Sequence, residues 1–380
     1  MGQLKMNPQT VASLPKPKLL SSLSPSRFTA IEACVLKEAI GGNANLLPRY
    51  PKGFLGSIAH KLVEMGAKGQ LTGEQGATAS VWDNLVAAQE SRLAESAIES
   101  HLVPLKRSCV EYFLMRSRAI RAATRLADST SLSVGRGGQP VEGLGYGVGV
   151  SSKDGAVKGR IDAVTAAGGV ITISDYKTGA VLLEEGGVSQ IKPEYEAQLK
   201  LYAAIYFETY GRWPDRLLLL NLQGRDFEIN FNRAECGSLL EIAREMLKKT
   251  NNRIQAALQQ EDASSLASPS PATCRFCALR PGCHAYCGAR LAQPQTEWPH
   301  DVWGGIETKT VSSLGLCAVC LADSSVPGQK AVIRRLTGGV RHPQLQNAGQ
   351  GAKIAAFGLR KEGNSETYSE SPTTVIYRLD

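Results

Sequence analysis

The chain has 380 residues, 43% hydrophobic and 21% charged, which is ordinary for a folded protein and excludes disordered and collagen-like classes. Its formal net charge of +8 favours polyanionic partners such as nucleic acid. No apolar run approaches the roughly 18 residues of a spanning helix, and the start MGQLKMNPQTVASLPKPKLL has no apolar export segment, so a cytoplasmic location without a membrane partner is expected.

Residues 1–22, with Pro15 and Pro17 and little periodicity, read as a flexible arm. SPSRFTAIEACVLKEAI and GFLGSIAHKLVEMGA then show apolar residues at three- and four-residue spacing, predicting two short helices that carry Cys34 and His60. Residues 80–126 form the longest helical stretch, with Pro104 as its break. The period then changes to two. VKGRIDAV and VITISDYKTG are predicted strands joined by a TAAGG hairpin. A helix over EYEAQLKLYAAIYFETYG follows, then strands RLLLLNL and DFEINFN with a turn at Gln223-Gly224, and a long helix over 233–259. Together these give an α/β domain over 23–292 whose small mixed sheet is flanked by helices. The Ser/Pro-rich EDASSLASPSPAT reads as a linker. From 297 to 380, five strand-like runs with a helical insertion resemble a small all-β OB-like barrel. The G-x-x-x-x-G-K-[ST] phosphate loop is missing, so the chain is not expected to drive its own translocation.

Asp175 and Lys177, two apart on a strand, share a face with Ile171 and Ile173. An apolar face ending in a carboxylate and an ammonium is costly unless the charges are paired or hold a cation. With Asp162 opposite Ile173, the two Asp side chains become diagonal neighbours, roughly 7 to 8 Å apart between backbones. Two such carboxylates suit a hard divalent cation, Mg²⁺ or Mn²⁺, and a nearby lysine suits charge building on a reacting phosphate.

In chain order, GRIDAV, then DYKTG with its Asp thirteen residues after Asp162, then Gln198 and Tyr202 one helical turn apart, resemble RecB-family PD-(D/E)xK nucleases. The resemblance covers roughly residues 20–290 and implies a restriction-endonuclease-like core with a helical N-terminal part. It implies catalytic roles for Asp162, Asp175, Lys177, Gln198 and Tyr202. His60 in GSIAH matches the family's motif helix and would be the third metal ligand beside Asp162 and Asp175. The family often has an acidic residue in a strand before the GxxD motif; only Glu142 is a loose candidate here, with no role assigned.

Nine cysteines is an odd count without an export signal, which favours metal binding over disulfides. Cys274, Cys277 and Cys283 follow C-x2-C-x5-C, and Cys34 sits in SPSRFTAIEAC. One Cys before the core and three after it resembles the iron-sulfur clasp of AddB-type, CRISPR-adaptation and flap-processing nucleases, which implies a [4Fe-4S] cluster. A self-contained Zn²⁺ site with Cys287 as fourth ligand is the alternative. Cys317 and Cys320, three apart on a strand, point to opposite faces and read as core.

Trp303, Phe357 and Tyr377 are candidate stacking platforms for a single strand. From Glu297 onward nine Lys and Arg face eight Asp and Glu, so the barrel suits a protein partner as well as DNA. The expectation as a whole is a metal-dependent deoxyribonuclease, an exonuclease on single-stranded or end-bearing DNA. It would serve repair, recombination or defence, with a helicase or other protein partner. The alternative is a non-catalytic DNA-binding or assembly module with a structural metal site.

Overall fold

The computed structural model describes residues 11–44, 46–133, 143–294, 296–322, 330–339, 341–363 and 365–379. Glu142 lies outside them. Among the described residues no helix is long and apolar enough to cross a membrane.

The N-terminal helices are α1 (Phe28–Ala33), α2 (Val35–Ile40), α3 (Pro51–Ala67), α4 (Gln75–Ala94), α5 (Leu105–Ser108) and α6 (Tyr112–Ser133). The first expected helix is split: Cys34 is extended, with φ −164° and ψ 107°, between α1 and α2. The break expected at Pro104 widens into a short connecting segment between α4 and α6. Helices α3 and α6 pack so closely that a Cβ on Gly66 would lie 2.3 Å from the Ala123 carbonyl oxygen.

Strands β1 (Gly145–Ser151), β2 (Lys158–Ala167) and β3 (Val170–Lys177) precede a small hairpin of β4 (Leu182–Glu185) and β5 (Val188–Ile191). Helix α7 (Pro193–Tyr210), strands β6 (Arg216–Asn221) and β7 (Asp226–Glu228), and helix α8 (Arg233–Gln259) follow. The core sheet has the order β1-β2-β3-β6-β7. Only β3 and β6 are parallel in it, as a crossover through α7 requires. Gly168 and Gly169 both have positive φ in the β2–β3 turn, the conformation that suits a tight hairpin. One core gathers α1, α7, α8 and the sheet around Ile161, Ile173, Leu199 and Leu219. A second joins α3, α4 and α6 around Leu55, Leu62, Trp82 and Ala123, with Tyr176 at its margin.

Two expectations about the outer segments change. Val11 N donates to the Pro281 carbonyl and Lys18 N to that of Ala39, while Leu20 exchanges two hydrogen bonds with Asn251. From residue 11 the expected arm is therefore tied across the molecule. The expected linker turns at Ala263–Leu266 and buries Leu266 against Ile254. Helices α9 (Pro271–Cys274) and α10 (His284–Ala292) frame the cysteine segment.

Among the described residues the C-terminal part has seven strands where five were expected: β8 (Val302–Val311), β9 (Leu316–Ala322), β10 (Ala331–Thr337), β11 (Lys353–Phe357), β12 (Arg360–Lys361), β13 (Thr367–Ser369) and β14 (Val375–Arg378). One of the five expected runs, AKIAAFGLRK (residues 352–361), is divided at Gly358, whose φ is 69°. The order is β12-β13-β10-β9-β8-β11-β14, and among the described residues no pairing closes the sheet into a barrel. The insertion after β10 carries one 3₁₀ turn at Pro343–Leu345. Cys317 is buried and Cys320 turns the other way, its Sγ 3.6 Å from Glu307 Oε2.

This sheet shares a core with the cysteine segment. Trp298, Trp303, Ala355 and Phe357 pack with Leu47, Cys274, Tyr286 and Cys287, and Tyr377 lies against them. Trp303 and Phe357 are therefore buried, and Tyr377 donates to the Leu46 carbonyl; these rings are seam packing rather than stacking platforms. At the seam Arg280 grips the fully buried Asp301 with Nε–Oδ2 at 2.7 Å, and Asp301 also accepts from Tyr286 Oη and Gly358 N. Deleting residues 297–380 should therefore strand Arg280 inside the remaining domain. A broken buried pair costs about 3 to 5 kcal/mol, so the truncated chain should melt far below the full chain or precipitate. A truncation melting like the full chain would show that the seam contributes nothing.

Candidate active site

Ile171, Ile173 and Asp175 alternate into the core that α7 covers, so the carboxylate follows two buried isoleucines into an apolar layer. The register pairs Ala163 with Ser174 and Val164 with Ile173. Asp162 thus faces position 175 directly, two residues from the expected diagonal placement, and directly opposite residues share a face at the closest cross-strand spacing. The Asp162 carboxylate spans two elements: Oδ2 accepts from Tyr176 N at 2.8 Å, and Oδ1 lies 3.1 Å from His60 Nε2 on α3.

Gln198, buried on α7, bridges the other pair. Its Nε2 donates to Asp175 Oδ1 at 2.8 Å and its Oε1 accepts from Lys177 Nζ at 2.8 Å. Lys177 Nζ also lies 2.7 Å from Asp175 Oδ2, yet that oxygen is buried without a hydrogen bond of acceptable geometry. Tyr202, expected among the catalytic set, donates to the Arg160 carbonyl at 3.1 Å; it braces the strand that carries Asp162. Its ring explains the first residue of GRID, since a Cβ on Gly159 would lie 2.7 Å from Tyr202 Cε1. Tyr195, one turn before Gln198, puts its ring 4.4 Å from Lys177 Nζ. Sequence reasoning passed over it, although the i, i+3 spacing to Gln198 was a usable signal.

Burial pushes Asp175 up to about 6, opposed by the Lys177 ammonium and reinforced by the Asp162 carboxylate. The hydrogen bond to Asp162 holds His60 above its ordinary value against the opposing effect of burial. Two carboxylates and an imidazole fit a hard divalent cation, and the Asp175 oxygen without a hydrogen bond is the atom such a cation would satisfy. Among the described residues no three His, Cys, Asp or Glu side chains close to coordination geometry.

Because its folded-state value is raised, ionised Asp175 destabilises the metal-free fold. Full stability is present below the ordinary value of 3.8 and is lost as pH rises through about 6. Asp175→Asn should therefore raise the melting temperature of metal-free protein at pH 8 and leave it nearly unchanged at pH 4. Mn²⁺ should stabilise the wild type at pH 8 and much less at pH 5, where protons compete for Asp175. Identical metal-free melting of the two proteins at pH 8 would remove burial as the cause.

Around the cysteines, Cys34, Cys277 and Cys283 pack beside Val35, Leu36 and Leu279. Cys34 lies within electrostatic reach of each of Cys274, Cys277 and Cys283. Burial pushes Cys274 up to about 12 and Cys283 to about 11. Cys287 is likewise pushed up to about 12, feels Cys283 and Asp301, and packs with Tyr286 and Trp298.

Residues 22–284 match the model of the PD-(D/E)XK nuclease superfamily. Among curated proteins none matches the chain significantly.

Proposed function

Since the chain belongs to the PD-(D/E)XK nuclease superfamily, whose members are metal-dependent nucleases, we propose that it hydrolyses DNA phosphodiester bonds at Asp162, Asp175 and Lys177. The convergence of these three side chains with His60 and Gln198, as two hydrogen-bonded groups facing each other across β2 and β3, carries the reading. Asp162, Asp175 and His60 are the residues that would hold Mg²⁺ or Mn²⁺. When bound, such a cation supplies Lewis acidity and a more acidic water. Lys177 is held by Gln198 and Asp175, and its partly exposed side chain can meet the phosphate as a point charge. Gln198 fixes both partners in one geometry, so the site is organised before substrate arrives.

The finer assignment is a RecB-like enzyme, an exonuclease on single-stranded or end-bearing DNA, with a [4Fe-4S] cluster held by Cys34, Cys274, Cys277 and Cys283. Support comes from the motif order and from the meeting of Cys34 with the distant C-x2-C-x5-C segment. A non-catalytic binding module would have no use for a 4%-exposed Asp175 beside an ammonium. Purified protein incubated with end-labelled single- and double-stranded DNA should cleave only with Mg²⁺ or Mn²⁺, releasing mononucleotides or short oligonucleotides from free ends. Absence of cleavage of any substrate with either metal would refute the nuclease reading.

A further inference from the structure

A groove of about 400 Å³ opens beside His60 along one face of α3, lined by Gly53, Gly56 and Ser57 and by Thr178 across from them. Lys52, Gly53 and Ser57 also line a second depression, of about 500 Å³, which runs to Tyr50 and Phe276. Tyr50 in turn belongs to the rim of a cleft of about 780 Å³ that contains Arg275 and Lys361. The three depressions thus form one continuous track leading away from the candidate active site.

Its middle is aromatic and exposed. Tyr50 is 45% and Phe276 61% exposed, and their rings meet edge to face with centroids 5.0 Å apart. Phe276 and its neighbour Arg275 are the two residues between Cys274 and Cys277. The Arg275 guanidinium lies 5.3 Å over the Phe276 ring and makes no salt bridge among the described residues. Two exposed rings in contact form an apolar patch, the kind of surface that marks an interaction site, and rings flanked by cations match the π-faces and phosphates of an unpaired strand. A duplex, with its bases already stacked, cannot use such a surface.

We propose that this track binds single-stranded DNA, with bases stacking on Tyr50 and Phe276, Arg275 and Lys52 facing phosphates, and the strand entering the active site along Gly53, Gly56 and Ser57. The proposal rests on the nuclease reading and names its substrate class. Lys52 is held by Glu111 at 2.9 Å and so offers a positioned cation. Small residues between the rings and His60 let a strand lie close to the helix backbone.

The test is fluorescence anisotropy with a labelled thymidine 20-mer and a duplex of equal length, in EDTA so that nothing is cut. Tyr50→Ala with Phe276→Ala should weaken binding of the 20-mer by about tenfold or more, the change expected for losing a base stack, with duplex binding unchanged. Phe276→Trp should keep the affinity, and its added indole fluorescence should be quenched as the 20-mer saturates. Both rings are exposed, so melting should stay near that of the wild type. Unchanged 20-mer affinity in the double variant, or an equal loss for duplex, overturns the track. If wild-type protein binds the 20-mer through these rings yet never cleaves with metal, the nuclease reading fails and the track stands.

Discussion

Asp162→Ala, Asp175→Ala and Lys177→Ala should each lower metal-dependent cleavage by at least about a thousand-fold, to background. The three side chains act as one unit, so the single losses should not add in combination. They should differ in metal binding. Asp162→Ala and Asp175→Ala each remove a proposed ligand and should abolish the stabilisation by Mn²⁺. Lys177→Ala should keep that response, because it removes the charge that competes with the cation for Asp175 Oδ2. Gln198→Ala should fall between, with a loss of about 10- to 100-fold, because it touches Asp175 and Lys177 and frees both. Circular dichroism and melting separate these effects from misfolding. Persistent metal-dependent cleavage by all three alanine variants would end the assignment of this cluster as the reaction centre.

Much of the site was legible because period-two strands announce which residues share a face. Asp175 and Lys177 fell on one face by alternation alone, and the helical spacing of Gln198 and Tyr202 predicted two side chains on one side of α7. Alternation does not fix register, however. Whether Asp162 lies opposite Ile173 or opposite position 175 depends on the two-glycine turn, and the structure takes the tighter pairing. The role of Tyr202 was hidden for a related reason: its hydroxyl serves a backbone carbonyl, and backbone acceptors leave no trace in sequence.

The rings of the C-terminal part show the opposite failure. Trp303, Phe357 and Tyr377 carry a polar or aromatic surface that suits stacking as well as a core, and composition cannot decide between the two. The decision came from Asp301 and Arg280, a pair whose burial is meaningful only once the sheet and the cysteine segment meet. Tyr50 and Phe276 are among the exposed rings, each in a short loop with no periodicity to mark it.

Cys34→Ala should be the most destabilising of the cysteine substitutions, and Cys287→Ala should be tolerated by the metal centre. Residues 34 and 274 are 240 positions apart, and the entropy of closing a loop grows only slowly with its length. A cluster joining them would therefore act as a staple between the Cys34 break in α1–α2 and the segment that begins at α9. Burial holds the Cys274 and Cys283 thiols in the protonated form, so a metal centre that deprotonates them would convert a largely apolar pocket into a bonded junction. Protein purified without oxygen should then be brown, with about four irons and four acid-labile sulfides per chain. Cys34→Ala should lose the colour and melt well below the wild type. Cys287, which packs among Tyr286, Trp298 and Phe357 in the seam, should lose only packing when cut back to Ala, at a cost of about 1 to 2 kcal/mol, with iron content unchanged. Colourless protein holding one zinc, indifferent to Cys34→Ala but stripped of metal by Cys287→Ala, would replace the clasp with a local zinc site. The proposed nuclease chemistry would then rest on Asp162, Asp175 and Lys177 alone.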